Sequence, residues 1–192
     1  MATQSTPVIT EEEYLRLERA SDHKSEFING EIFAMAGGKL RHSLITANFA
    51  GALGAKLRGG NCLVFSPDLR VRTATSGSYV YPDVSVVCGV PQVHEGAGDI
   101  LINPKLVVEV LSPSTADYDH GKKFELYREI VSLEDYVLVD TGTARVEHFA
   151  RQPDGSWTFR EYRGIEAAVP FASLGCTVEL AEVYAGVFDL PS

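Results

Sequence analysis

At 192 residues, 45% hydrophobic and 22% charged, the chain can bury a core of its own without disulfide or metal staples. Its formal net charge of -9 weighs against a protein that coats nucleic acid nonspecifically through a basic surface. It does not exclude an enzyme that meets phosphates through a bound cation and a local cationic patch, because the ion dominates the charge of its own site. No apolar run approaches the roughly 20 residues of a membrane span, and the polar start lacks a signal core, so a cytoplasmic protein with no membrane association is expected. Cys62, Cys88 and Cys176 are odd in number and widely spaced, and read as small buried residues rather than a disulfide or zinc framework.

Residues 1–10 are expected to be a disordered N-terminus ahead of a single domain over 11–192, with no repeat or linker. Thr10 followed by Glu11, Glu12 and Glu13 predicts a capped helix running to about Ala20. Asn29-Gly30 between apolar-rich runs predicts a type I′ hairpin pairing Ile28 with Glu31 and Glu26 with Phe33. By periodicity alone, Glu26 and Glu31 belong to a solvated face. Lys39 to Arg58 carries the stripe of an amphipathic helix, with His42 off it and more in keeping with a surface or capping residue than a ligand. Cys62 to Arg72 reads as one half-exposed strand broken at Ser66-Pro67, Tyr79 to Val87 as a second strand, and Gly89 to Pro104 as a long mobile or partner-facing loop.

Lys105 to Leu111 predicts a buried strand, followed by a Ser-Pro-Ser-Thr turn. A helix from His120 to about Ile130 is expected, capped by Asp119, with Lys123 four residues before Tyr127. Tyr136 to Asp140 is a further buried strand. A charged hairpin around Pro153-Asp154-Gly155 reads as a solvated or edge pair, and Thr177 to Leu180 as a last strand.

Two apolar strands each hold one unexplained acid, Asp83 and Glu109, and a buried unpaired carboxylate costs several kcal/mol. Paired antiparallel, with Ser85 opposite Val107, the strands set Asp83 opposite Glu109, about 5 Å apart on one face. Carboxylates that close repel, and a hard divalent cation is a natural partner. The returning helix brings Lys123 over the same face. The plainer alternative is a buried Lys123–Glu109 ion pair, with Asp83 completing a Tyr-Pro-Asp turn.

Tyr81-Pro82-Asp83, then Glu109-Val110-Leu111-Ser112-Pro113-Ser114-Thr115, then Asp119, Lys123 and Tyr127, resemble the Uma family of restriction endonuclease-like proteins in the PD-(D/E)XK superfamily. Val137 to Asp140 and the Glu26 to Glu31 segment look similar too. The resemblance covers roughly Glu11 to Phe149. It implies an α/β (α+β) fold with a mixed central sheet flanked by helices and carrying additional hairpins. It also implies hydrolysis of DNA phosphodiesters with Mg²⁺, or alternatively Mn²⁺. By matching position, Asp83, Glu109 and the Val110 carbonyl would hold the metal, Lys123 would be the catalytic lysine, and Glu26 and Tyr127 would assist. The superfamily lysine position is Leu111 here, so a lysine from the following helix must serve; Lys122 is the competitor, about 100° round the helix. Lys56, Arg58, Arg70 and Arg72, or the groove of a homodimer, would offset the acidic charge toward DNA. A non-catalytic interaction module and a phosphoesterase on small nucleotides are the competing readings.

Overall fold

The computed structural model describes residues 9–35, 37–94, 98–112 and 116–191. Most of the segment expected to be disordered lies outside these residues. Ile9 and Thr10 are tied in: the Ile9 N–H donates to the Gly30 carbonyl, and the Thr10 hydroxyl accepts the Glu13 N–H at the start of α1 (Glu11–Ala20). The hairpin forms as Asn-Gly dictates, with Asn29 and Gly30 both at positive φ between β1 (Ser25–Ile28) and β2 (Glu31–Ala34), in the expected register. After α2 (Leu40–Lys56) the chain alternates between two sheets through β3 (Cys62–Phe65), β4 (Arg70–Arg72), β5 (Tyr79–Val80) and β6 (Val84–Cys88).

The break expected at Ser66-Pro67 therefore separates β3 from β4, and the strand expected over Tyr79 to Val87 is split as well. Proline has no N–H to give a ladder, and breaks fall at Pro67 and at Pro82. Strands β3 and β6 join one sheet, β4 and β5 the other. The loop expected over 89–104 is also partly structured, since β7 (Ile100–Leu101) pairs in parallel with β4; residues 95–97 lie outside the described set.

Beyond β8 (Leu106–Leu111), α3 (Ala116–Tyr118) runs through a π-helical turn (Asp119–Lys123) into α4 (Phe124–Tyr127). There follow β9 (Asp135–Asp140), β10 (Arg145–Arg151), β11 (Trp157–Arg163), β12 (Ala168–Phe171), β13 (Cys176–Glu179) and α5 (Leu180–Val183). The larger sheet has the order β11-β10-β9-β8-β6-β3, with β8 and β9 parallel and its other pairs antiparallel; the smaller one runs β2-β1-β5-β4-β7. The charged hairpin does place β11 at an edge, but β10 is an interior strand whose Glu147 and His148 are buried.

Strand alternation sorts the core. Val84, Val86, Leu106, Val108, Val110, Val137 and Val139 pack toward α2 through Ile45, Phe49 and Leu53. Val107, Leu111, Tyr136 and Leu138 pack on the other face with Leu126, Tyr127 and Ile130. Each such aliphatic side chain stabilises the fold by about 1.5–3 kcal/mol when buried. One residue of β8 breaks the pattern: Glu109 sits on the second face, among those apolar groups.

The cysteine expectation fails for two of the three. Cys62 and Cys88 are direct partners in the β3–β6 register and form a disulfide, while Cys176 is free. Spacing of 26 along the chain hides a proximity that only the strand pairing creates.

Candidate active site

The β6–β8 register is Val84 with Val108 and Ser85 with Val107. One step further this frame sets Asp83 across from Glu109. Pro82 ends the β6 ladder, and Asp83 turns its carboxylate onto β8, accepting the Val110 N–H at 2.7 Å. The side chain thereby supplies an acceptor at the strand end.

Glu109 is 3% exposed and lies under the π-helical turn. Its Oε1 accepts from Lys123 Nζ at 3.1 Å and from the Tyr127 hydroxyl at 2.6 Å. Lys123, 6% exposed, also stands 3.0 Å from Glu26 and 3.6 Å from Asp119. Spaced i, i+4, Asp119 and Lys123 share the inward face of a π turn, a kind of turn that recurs at functional sites. Tyr136 fastens the turn by donating to the Asp119 carbonyl at 2.8 Å. Lys122 points away, exposed and paired with Glu125, so burial selects Lys123 over its neighbour.

Glu26 corrects the solvated-face reading. Strand β1 is interior to the smaller sheet, with β2 on one side and β5 on the other. Glu26 is 5% exposed and accepts from the Tyr81 N–H and the Tyr118 hydroxyl. His42 also exceeds its expectation: its Nε2 lies 3.3 Å from Asp83 Oδ2. Asp83 and His42 form the more open side of the site, with side chains 15% and 23% exposed.

Four carboxylates (Glu26, Asp83, Glu109 and Asp119) thus surround one lysine and one histidine. Burial first, then Asp119, Asp83 and Glu26, push the Glu109 carboxyl well above the usual range, against the pull of Lys123. Burial alone would lower the Lys123 ammonium, but Glu109, Glu26 and Asp119 outweigh it and hold it well above its ordinary value. Burial and Glu109 likewise raise Tyr127, which therefore stays a donor. For His42, burial opposes protonation while the hydrogen bond and charge of Asp83 favour it, for a net rise.

Three of the four cations expected to meet DNA are engaged by acids. Arg70, 5% exposed, is buried against Asp99, which removes it as a phosphate contact. Arg72 is held by Glu11 at 3.0 Å and Lys56 by Glu182 at 2.9 Å. Lys56 also stands about 21 Å along α2 from His42, at 1.5 Å per residue. Arg58 is exposed just beyond that same distant end. Asp119, His42 and Tyr118 were missed or discounted from sequence. The i, i+4 spacing of Asp119 and Lys123 is the one signal that could have raised the first of them.

Residues 11–181 match the Uma2 family, described as "Putative restriction endonuclease". The chain belongs to the Uma2 family. Two relatives from Synechocystis sp., both described as uncharacterized, are similar over nearly their whole length. The first, sll1609, is 37% identical over 172 residues, 90% of this chain and 97% of its own. The second, slr1290, is 34% identical over 181 residues, 94% of each. A crystal structure from Anabaena variabilis, described as a "putative nuclease belonging to DUF820", superposes with a TM-score of 0.77 at 20% identity, covering 93% of this chain and 99% of that one. The expected mixed sheet flanked by helices is the observed Uma2 fold. Among the described residues, no helix is long and apolar enough to cross a membrane.

Proposed function

We propose that this Uma2-family chain is a metal-dependent endonuclease hydrolysing phosphodiester bonds in DNA. The observation that carries the reading is a buried lysine ion-paired with Glu109 and Glu26, with Asp83 close by at the end of β6, its carboxylate accepting the Val110 N–H. The donor set fits a hard divalent cation: acid oxygens outnumber the cationic groups around them, as Mg²⁺ or Mn²⁺ requires. Among the described residues no three His, Cys, Asp or Glu side chains form a ready-made cage. That suits an ion held by one or two carboxylates and completed by water and substrate phosphate. Asp83, Glu109 and the Val110 carbonyl would hold it, and when bound it would supply an activated water and charge neutralisation at the phosphate.

The chain's own groups have separate tasks. Lys123 stabilises negative charge growing on the phosphoryl oxygens. Glu26 and Asp119 hold the ammonium in place, and Tyr127 fixes the Glu109 oxygen it donates to. A homodimer would present two such sites to the two strands of a duplex, since one site cuts one strand. The neutralised arginines and Lys56 favour a second reading, a phosphoesterase acting on small nucleotides, which needs less basic surface. The test is nicking of supercoiled DNA with and without Mg²⁺ or Mn²⁺, for wild type and Asp83→Asn, alongside bis(p-nitrophenyl) phosphate. Metal-dependent nicking lost in the variant is the expected result. Turnover of the small diester alone would favour the second reading, and neither cleavage nor calorimetric metal binding would refute both.

A further inference from the structure

Strand β2 is the outer strand of the smaller sheet, and its side chains alternate between two surroundings. Ile32 packs against the cluster of Tyr14, Phe27 and Tyr79. Phe33 turns the other way, directly opposite Glu26 in the β1–β2 register. Such cross-strand partners share a face, with β-carbons about 5 Å apart. Glu26 in turn is 3.0 Å from Lys123 Nζ, so only one residue separates Phe33 from the proposed catalytic lysine.

Phe33 is 45% exposed, an aromatic side chain left in water beside a polar site. The other exposed phenylalanines are engaged within the fold. Phe159 packs on Phe149 with ring centroids 5.0 Å apart, and Phe188 stacks on Tyr184 at 5.4 Å. Among the described residues no ring packs on Phe33 in this way. Met35, two residues on, and Leu40, which opens α2, are exposed as well and continue an apolar lip toward His42.

Charge points the same way. Arg70, Arg72 and Lys56 are taken up by acids, and carboxylates outnumber cations in the site, so a duplex finds little basic track for its two backbones. A nucleobase is neutral and offers a flat face that an aromatic ring binds whatever the sequence. Within a duplex that face is covered by neighbouring base pairs, and in a single strand it is open.

We infer that Phe33 is the stacking platform for the base beside the scissile phosphate, and that the substrate is single-stranded DNA. The inference rests on the DNA-hydrolase reading above and names the substrate class of that site. In a nucleotide one sugar lies between base and phosphate; here one residue, Glu26, lies between Phe33 and Lys123.

The experiment is fluorescence anisotropy of a short labelled oligonucleotide, presented as a single strand, as a duplex and as an abasic strand with the same number of phosphates. It is run with Ca²⁺ in place of Mg²⁺, on wild type, Phe33→Leu and Phe33→Trp. Expected from the wild type is at least about fivefold tighter binding of the single strand than of either other form. Phe33→Leu keeps an apolar cover beside Glu26 and removes the aromatic face. It should lose about five- to a hundredfold on the single strand and bind the three forms alike. Phe33→Trp should keep the preference, and its added indole should be quenched by the single strand and not by the abasic one. A merely structural Phe33 would leave the dependence on bases intact in Phe33→Leu. Equal wild-type affinity for all three forms overturns the inference without any variant, as does wild-type affinity for the single strand in Phe33→Leu. Displacement of the single strand by thymidine monophosphate at equal affinity would seat a free nucleotide there and overturn the single-strand assignment. Metal-dependent nicking that requires Asp83, with no dependence of binding on bases, leaves the hydrolytic reading standing while the role of Phe33 falls. Neither binding of any form nor cleavage by the wild type overturns both.

Discussion

Lys123→Met isolates the electrostatic balance of the site. Methionine is flexible and similar in length, so it fills the space of the lysine stem while removing the charge. What remains is Glu109, with Glu26 and Asp119 nearby and the ammonium that stood 3.0 to 3.6 Å from all three gone. Removing one partner of a buried ion pair costs about 3–5 kcal/mol, because the other charge is left uncompensated. For a chain of this size that lowers the melting temperature by on the order of 10 °C. The loss should depend on pH with a definite sign. Burial already raises the Glu109 carboxyl, and taking away Lys123 raises it further. A carboxyl raised on folding binds its proton more readily in the folded state, so its contribution to stability is complete below the ordinary value near 4.5 and is lost as pH rises through the folded value. The gap between variant and wild type should therefore be widest at neutral pH and shrink toward pH 5. Urea unfolding of both proteins at the two pH values, in chelator, measures it. A gap below about 1 kcal/mol at neutral pH, or one indifferent to pH, would refute the argument that Lys123 holds the acids together.

Reducing the Cys62–Cys88 bond, which closes a loop across a separation of 26 residues, should cost about 3 kcal/mol. An unchanged urea midpoint in dithiothreitol would mean the thiols are not joined. Asp140 carries the opposite sign to Glu109. Burial tends to raise its carboxyl, but Arg145 and the Thr143 and Gly142 N–H groups outweigh that and lower it. Its contribution is present above the ordinary carboxyl range and is lost as pH falls through the lowered folded value. Asp140→Asn should therefore be less stable than wild type at neutral pH and match it in strong acid, and a difference that persists in acid would contradict this.

Local chemistry carried much of the architecture in the sequence. Asn29-Gly30 dictated its turn and register, and the alternation of β6 and β8 set Ser85 against Val107. What could not be read depends on distant partners. Glu26 looks solvent-facing until the face it shares with Ile28 packs against the larger sheet and the Tyr118–Tyr127 segment. Cys62 and Cys88 meet only once β3 finds β6. Arg70 alternates like an exposed strand residue, yet Asp99 and the burial of β4 take it inside. Asp119 read as a helix cap because the turn that begins one residue before it, at Tyr118, was expected to start only at His120. His42 lies off the stripe of α2, where periodicity says only that it is not core.

The chain leaves the larger sheet for the smaller and returns, at Ser66-Pro67 and at Tyr81-Pro82-Asp83, and among the described residues no backbone ladder bridges the two sheets. The site lies along that seam, with Glu26 contributed from one side and Glu109 from the other. Lys123 reaches both, so it works as a rivet as well as a charge. On the proposed reading, any pull of a substrate phosphate on its ammonium would act on its hold across the two sheets as well.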